Sequence, residues 1–287
     1  MKRANDLGRD PIPSLVLKLA IPTMIAQFVN VLYSIIDRMY IGNIKGVGNL
    51  ALAGVGVCGP IVSLLSSFGT LIGLGGSILM AMKLASQILS NCFLMLTVFS
   101  LFLTILFLIL KDHLLMWFGA SDITFPYANT YLTIYTAGTF FALMAMGLNY
   151  FITCQGFSNV GMATVIVGAC TNIILDPIFI FGFHMDVAGA ALATVIAQFA
   201  SCAFAIGFLF SKRVPIRISF GNYSKAIMKR VLTLGLSPFL ILATDSIIII
   251  VLNTVLQKYG GATEGDMLIS CATIVQSYLM LITGPML

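Results

Sequence analysis

Eight stretches of about twenty or more mostly apolar residues follow one another along the chain, near 14–40, 50–82, 88–110, 128–154, 160–182, 188–211, 231–257 and from 267 onward. Wound as an α-helix, a run of that length crosses the hydrocarbon of a bilayer. Lipid offers the backbone no water, so each segment must satisfy its own hydrogen bonds, and runs this long and continuous cannot be barrel strands. The expected fold class is therefore all-α integral membrane, a polytopic helical bundle. With 59% hydrophobic and 9% charged residues and a mean hydropathy of +1.05, these 287 residues do not make a water-soluble domain. Residues 1–13 are short and polar, and the apolar run after them is too long for the core of a signal peptide, so no cleaved leader is expected.

The basic residues give the orientation. Lys2, Arg3, Arg9 and Lys18 flank the first span, and Lys212, Arg213, Arg217, Lys225, Lys229 and Arg230 fill the connection after the sixth. An even number of spans separates the two groups, so both fall on one side, which the positive-inside rule makes the cytoplasm. The chain is thus expected in the plasma (inner) membrane, multi-pass, with a cytoplasmic N-terminus. The net charge of +5 is topology information, and no nucleic-acid partner is implied. Trp117 is expected as an aromatic anchor at the outer interface.

Six cysteines stand singly in apolar stretches, without a CxxC pair, and read as small packing residues. His113 and His184 are expected in short connections, as ordinary solvated side chains. No GxSxG, HExxH or phosphate-binding glycine loop is present, so neither an enzyme nor an ATP-driven pump is expected, and no cofactor is called for.

The connection with Pro215, Gly221 and Asn222 divides the chain into residues 1–211, a six-span N-terminal lobe, a basic cytoplasmic linker at 212–230, and the start of a second lobe at 231–287. Leu234-Gly235-Leu236-Ser237-Pro238 is similar to Leu19-Ala20-Ile21-Pro22, at an offset of 216 residues that also sets Asp37 on Asn253. Parallel repeats of this kind are one plan of secondary transporters. Two copies need about 432 residues where 287 are present, so the chain reads as an incomplete transporter.

Two acids lie within apolar spans, Asp37 in the first and Asp176 in the fifth, and ionisable groups in a bilayer mark ion or proton pathways. Asn172 precedes Asp176 by one helical turn and shares its face, and Thr194 and Gln198 form a similar pair on the next span. Pro177 removes a backbone donor and leaves the Ile173 carbonyl without its helical partner. Carboxylates, amide oxygens, a hydroxyl and a free carbonyl form a hard, oxygen-rich set suited to a small cation, or to carboxylates that exchange a proton. Arg38 and Lys83 sit towards span ends, from where they can snorkel outward and leave the acids without a counter-charge. The bland alternative is that the polar groups only hydrogen-bond between helices. Asp245, in span seven, is a further acid of unassigned role.

Taken together, Leu19-Ala20-Ile21-Pro22, Ile36-Asp37-Arg38-Met39-Tyr40-Ile41-Gly42, Phe118-Gly119-Ala120-Ser121, Asn149, Gln155-Gly156, Asn172-Ile173-Ile174-Leu175-Asp176-Pro177 and Gly189-Ala190-Ala191-Leu192-Ala193-Thr194 make a pattern over nearly the whole chain. It resembles the multidrug and toxic compound extrusion transporters, and within them the bacterial branch. Two departures stand out: the connection between spans two and three is shorter than the family's polar loop, and the last four spans are missing. The resemblance implies a cation or proton site in the first lobe on Asp37, Asn149, Asn172, Asp176 and Thr194, with Na⁺ or H⁺ as the coupling ion. It further implies antiport of cationic, amphipathic small molecules across the bilayer. Tyr135, Gln27 and Met146, with Phe140, Phe141 and Met144, are candidates for a substrate cavity, since methionine and aromatic side chains suit bulky organic cations. Each of these also reads as simple packing. The alternatives are a flippase for a lipid-linked oligosaccharide from the same superfamily, disfavoured by the lack of mid-span arginine, and a non-transporting fragment.

Overall fold

A computed structural model describes residues 12–83 and 86–283, and helices take up nearly all of them. They are α1 (Ile12–Gly42), α2 (Gly48–Lys83), α3 (Ser86–Trp117), α4 (Phe125–Ala137), α5 (Thr139–Cys154), α6 (Ser158–Pro177) and α7 (Asp186–Phe210). A helical run from Lys225 to Thr283 breaks at Gly261, at φ 61° and ψ −162°, into α8 (Lys225–Gly261) and α9 (Glu264–Thr283). Seven of the helices are long and apolar enough to span a membrane alone, and α4 and α5 reach that length and apolarity only as a bent pair. The polytopic helical architecture is the one the run of apolar segments calls for. The short connection expected between the second and third spans falls at residues 84 and 85, outside the described residues.

The bend is the main departure from the expected straight span at 128–154. α4 and α5 meet at 57°, with Gly138 between them. Both halves are apolar, so hydropathy alone does not reveal the break. The geometry does: a side chain at Gly138 would run into Val195 of α7, and the Thr104 hydroxyl of α3 donates to the Thr136 carbonyl at 3.3 Å beside the break. α3 also runs past its expected end. Leu115 is fully buried, which carries the helix on to Trp117 and puts His113 inside the helix instead of in a connection. Trp117 ends that helix with its ring exposed.

α2 is the central helix and the most deeply buried of the long spans. Ile61, Leu65 and Ile72 of α2 pack with Leu132 of α4, Leu143 and Phe151 of α5 and Leu96 of α3. Outward-facing positions are as apolar as the core. Val98, Leu101, Phe102, Ile105 and Ile109 of α3 recur at helical spacing and are all exposed, the stripe that hydrocarbon demands.

Without water to expel, spans associate through close packing, which small residues permit. α2 and α8 run antiparallel: Gly56 of α2 receives the Asn253 amide at 3.5 Å near one end, and Gly235 of α8 presses on the Leu71 backbone near the other. A Cβ at Gly235 would fall on the Leu71 carbonyl, and no side-chain rotation relieves that clash. Gly235→Ala is therefore expected to cost about 1–3 kcal/mol and to lower the melting temperature in detergent. Gly207→Ala on α7 has nothing within 4 Å and is expected to leave it unchanged or slightly raised, as suits a helix interior.

Candidate functional site

α1 packs along α6, and this pairing brings the two intramembrane acids together. Asp37 and Asp176 are 8% and 0% exposed, and their carboxyls lie side by side, within hydrogen-bonding reach of each other. Asp176 stands at the end of α6, where Pro177 interrupts the α-helical ladder and the chain continues as a single π-helical segment, Ile178–Gly182. Proline and π-turns are the usual causes of such local irregularity, and π-turns concentrate at functional sites.

Asn172 holds the acid in place. Its amide donates to Asp176 Oδ1 at 3.1 Å and to Thr194 Oγ1 of α7 at 3.4 Å. The Thr194 hydroxyl spends its own proton on the Ala190 carbonyl, 3.0 Å away, so its oxygen is left to accept. Three helices thus converge on Asp37, Asn172, Asp176 and Thr194. Asp37 Oδ1, Asn172 Oδ1 and Asp176 Oδ2 are buried without any donor, and Gln198 Oε1, one turn beyond Thr194, is left in the same condition. The cluster can receive a proton between the two carboxyls or a small hard cation among the oxygens. Among the described residues no group of three or more histidines, cysteines or acids stands together, so the donor set is oxygen and amide only.

Tyrosines close one side of this cluster. Tyr33 lies one turn before Asp37 on the same helix, and Tyr131 and Tyr135 of α4 stack with ring centres 6.2 Å apart. The buried Tyr135 hydroxyl faces Ser66 of α2 and Gln198 of α7. Tyr33, Tyr131 and Ser66 are absent from the sequence-based site. The signal that finds them is the four-residue spacing of Tyr33 from Asp37 and of Tyr131 from Tyr135, which sets each pair on one helix face.

Other expected residues sit elsewhere. Asn149 does not join the acids: its amide donates to the Gly161 carbonyl at 2.9 Å and its oxygen accepts from Thr153 at 3.3 Å, pinning α5 to the start of α6. Gly161 is fifteen residues before Asp176, roughly 22 Å along the helix. Gln27 lies on the exposed side of α1, and Met146 is half-buried with its sulfur 3.9 Å from the Thr70 hydroxyl. Asp245 is exposed on α8.

Arg38 corrects the expectation that it snorkels outward. Its guanidinium turns inward, donating to the Thr273 carbonyl at 3.0 Å and to the Ser277 hydroxyl, both on α9. Two acceptors on a neighbouring helix outcompete the headgroup layer, because a half-buried guanidinium needs several partners. The residue that bears the first acid is thus followed directly by one that ties α1 to α9.

The MatE family profile matches residues 22–178. A multidrug export protein, MepA, of Staphylococcus haemolyticus is 28% identical over 251 residues, covering 84% of this chain and 55% of that protein. MepA of Staphylococcus aureus strain NCTC 8325 is 26% identical over 262 residues, covering 88% and 58%. The MATE multidrug transporter DinF-BH, solved in complex with a small molecule, superposes with a TM-score of 0.91 at 30% identity, over 100% of this chain and 65% of that one. The chain therefore spans 55–58% of the length of these two curated relatives.

Asn172→Leu removes the donor shared by Asp176 and Thr194 and strands both acceptors in a dry interior. It is expected to destabilise the protein by about 1–3 kcal/mol, read as a lowered melting temperature in detergent.

Proposed function

We propose, for a chain that belongs to the MatE family, that it carries the ion-coupling half of a secondary active multidrug exporter. In this reading organic cations leave the cell in exchange for Na⁺ or H⁺. The single observation that carries it is the set of donorless buried oxygens on Asp37, Asn172 and Asp176. A purely structural polar cluster would be satisfied internally, since leaving a buried acceptor unpaired costs free energy. Here two neighbouring acids carry such an oxygen side by side, where a proton or a small cation would satisfy both.

The roles in this reading are as follows. Asp37 and Asp176 hold the coupling ion, Asn172 orients Asp176, and Thr194 offers an accepting oxygen. Asn149 serves helix pairing, well away from the acids. Among the residues expected at the drug, Gln27 is the accessible one, whereas Tyr135 is buried behind the acids and belongs to their hydrogen-bonding surroundings. Similarity to MepA and to a multidrug transporter solved with a small molecule bound supports amphipathic small molecules as cargo. The division into a six-span lobe, a basic linker at 212–230 and the start of a second lobe belongs to the same proposal, as do the cytoplasmic N-terminus and the inner-membrane location.

Coupling requires that ion and drug favour different conformations, with the ion biasing the equilibrium by its difference in affinity for the two. Arg38 gives that bias a route. It follows Asp37 directly and grips α9, so a displacement of α1 on ion binding bears on the helix across the interface.

Two outcomes are expected. In drug-sensitive cells, Asp37→Asn and Asp176→Asn each reduce gradient-driven ethidium efflux on the order of tenfold or more, whereas Asn149→Leu keeps it. Full ion-driven efflux by Asp37→Asn would sink the reading. In detergent, Na⁺ coupling predicts a melting temperature that rises with added Na⁺ in the unaltered protein and stays flat in Asp37→Asn. A response to proton gradients without any stabilisation by Na⁺ assigns H⁺ instead.

A further inference from the structure

Residues 211–224 form no helix, yet they are held as firmly as one. Val214, Ile216 and Ile218 are 3%, 8% and 6% exposed, while Arg213, Pro215, Arg217 and Ser219 between and beside them face outward. That is the period of two of an extended strand laid on a surface. Three side chains bolt it down. Gln155, at the end of α5, accepts from the Ile216 amide at 2.9 Å. Asn91 of α3, fully buried, accepts from the Ser224 amide at 2.8 Å and donates to the Asn222 carbonyl at 3.4 Å. Ser90 and Ser219 share a hydrogen bond of 2.9 Å.

The outward face of this strap and of the first turns of α8 carries Lys212, Arg213, Arg217, Lys225, Lys229 and Arg230, all exposed, with no acidic residue between positions 211 and 230. Two aromatic rings stand exposed among them, Phe220 at 70% and Tyr223 at 49%. The strap joins the end of α7 to the start of α8, so these groups sit where spans meet the headgroup layer. Basic clusters of this size beside a span draw anionic lipid, and exposed aromatic rings settle at the same depth.

We infer that this strap is a binding surface for anionic phospholipid headgroups. The backbone that presents the charges does not have to be ordered on binding, because Gln155, Asn91 and Ser90 already fix it, which removes the backbone part of the entropic cost a loose tether would meet. Assignment to the cytoplasmic leaflet rests on the orientation proposed above. The binding itself does not, and it is read without transport.

The test uses nanodiscs, in which both faces meet the same lipid, and native mass spectrometry of the lipid that stays with the protein. The unaltered protein is expected to retain phosphatidylglycerol in preference to phosphatidylcholine, with the preference falling as salt is raised. In R213Q/R217Q/K225Q/K229Q the preference is expected to fall by about fivefold for each charge removed. K45Q/K258Q, which neutralises two lysines in the connection after α1 and near the far end of α8, is expected to leave it intact. Equal retention of the two lipids by the unaltered protein overturns the inference, as does an equal loss in the control pair. Should the quadruple variant fail to fold, the headgroup and salt series on the unaltered protein decides alone.

Discussion

A bilayer cannot answer a hydrogen-bonding group, so every polar atom within the spans must find its partner inside the protein. Most of the described spans obey by the simplest route. Thr97, Thr164, Thr171, Ser246 and Thr273 each turn their hydroxyl back to the carbonyl one turn earlier. Longer side chains reach other elements, Arg38 to α9 and Asn91 to the strap. Against that uniform background the acceptors left on Asp37, Asn172, Asp176 and Gln198 stand out, and they gather at one crossing of α1, α6 and α7. Other buried orphans are scattered: Thr136 and Thr139 are hydroxyls at the α4–α5 bend, and Asp266 is a lone acid whose second oxygen accepts from Ser121 at 2.8 Å.

Two of the irregular places in the helices lie at this crossing. At Pro177 a π-segment ends the regular part of α6 directly after the acid. At Gly138 the bend lets α4 cross α7 so that Tyr135 reaches the cluster from the side.

Hydropathy carries the number and approximate extent of the spans, because lipid sorts residues by one property over a fixed thickness. Two of the helix ends need more than that. Gly138 breaks a run that is apolar on both sides, and Leu115 extends α3 past charged Lys111 and Asp112, so neither boundary follows from composition. Within the site, the shared face of Asn172 and Asp176 is legible from their four-residue spacing. Which other helix meets that face is tertiary information, and Asn149 shows it: a polar residue in an apolar span whose neighbours lie a helix length from the acids. Arg38 escapes a sequence reading for a related reason, as a long side chain near a span end can turn either way and only the packing of α9 decides. The alternation of Val214, Ile216 and Ile218 with basic residues is present in the sequence but is too short to declare itself as a strap.

A cord between two bodies can only pull, whereas a bar fixed at several points also resists twisting. Gln155, Asn91 and Ser90 grip residues 211–224 at separate positions, and the strap then runs without slack into α8. The start of α8 is therefore not tethered to α3 and α5 but braced against both, at three points along one short stretch of chain.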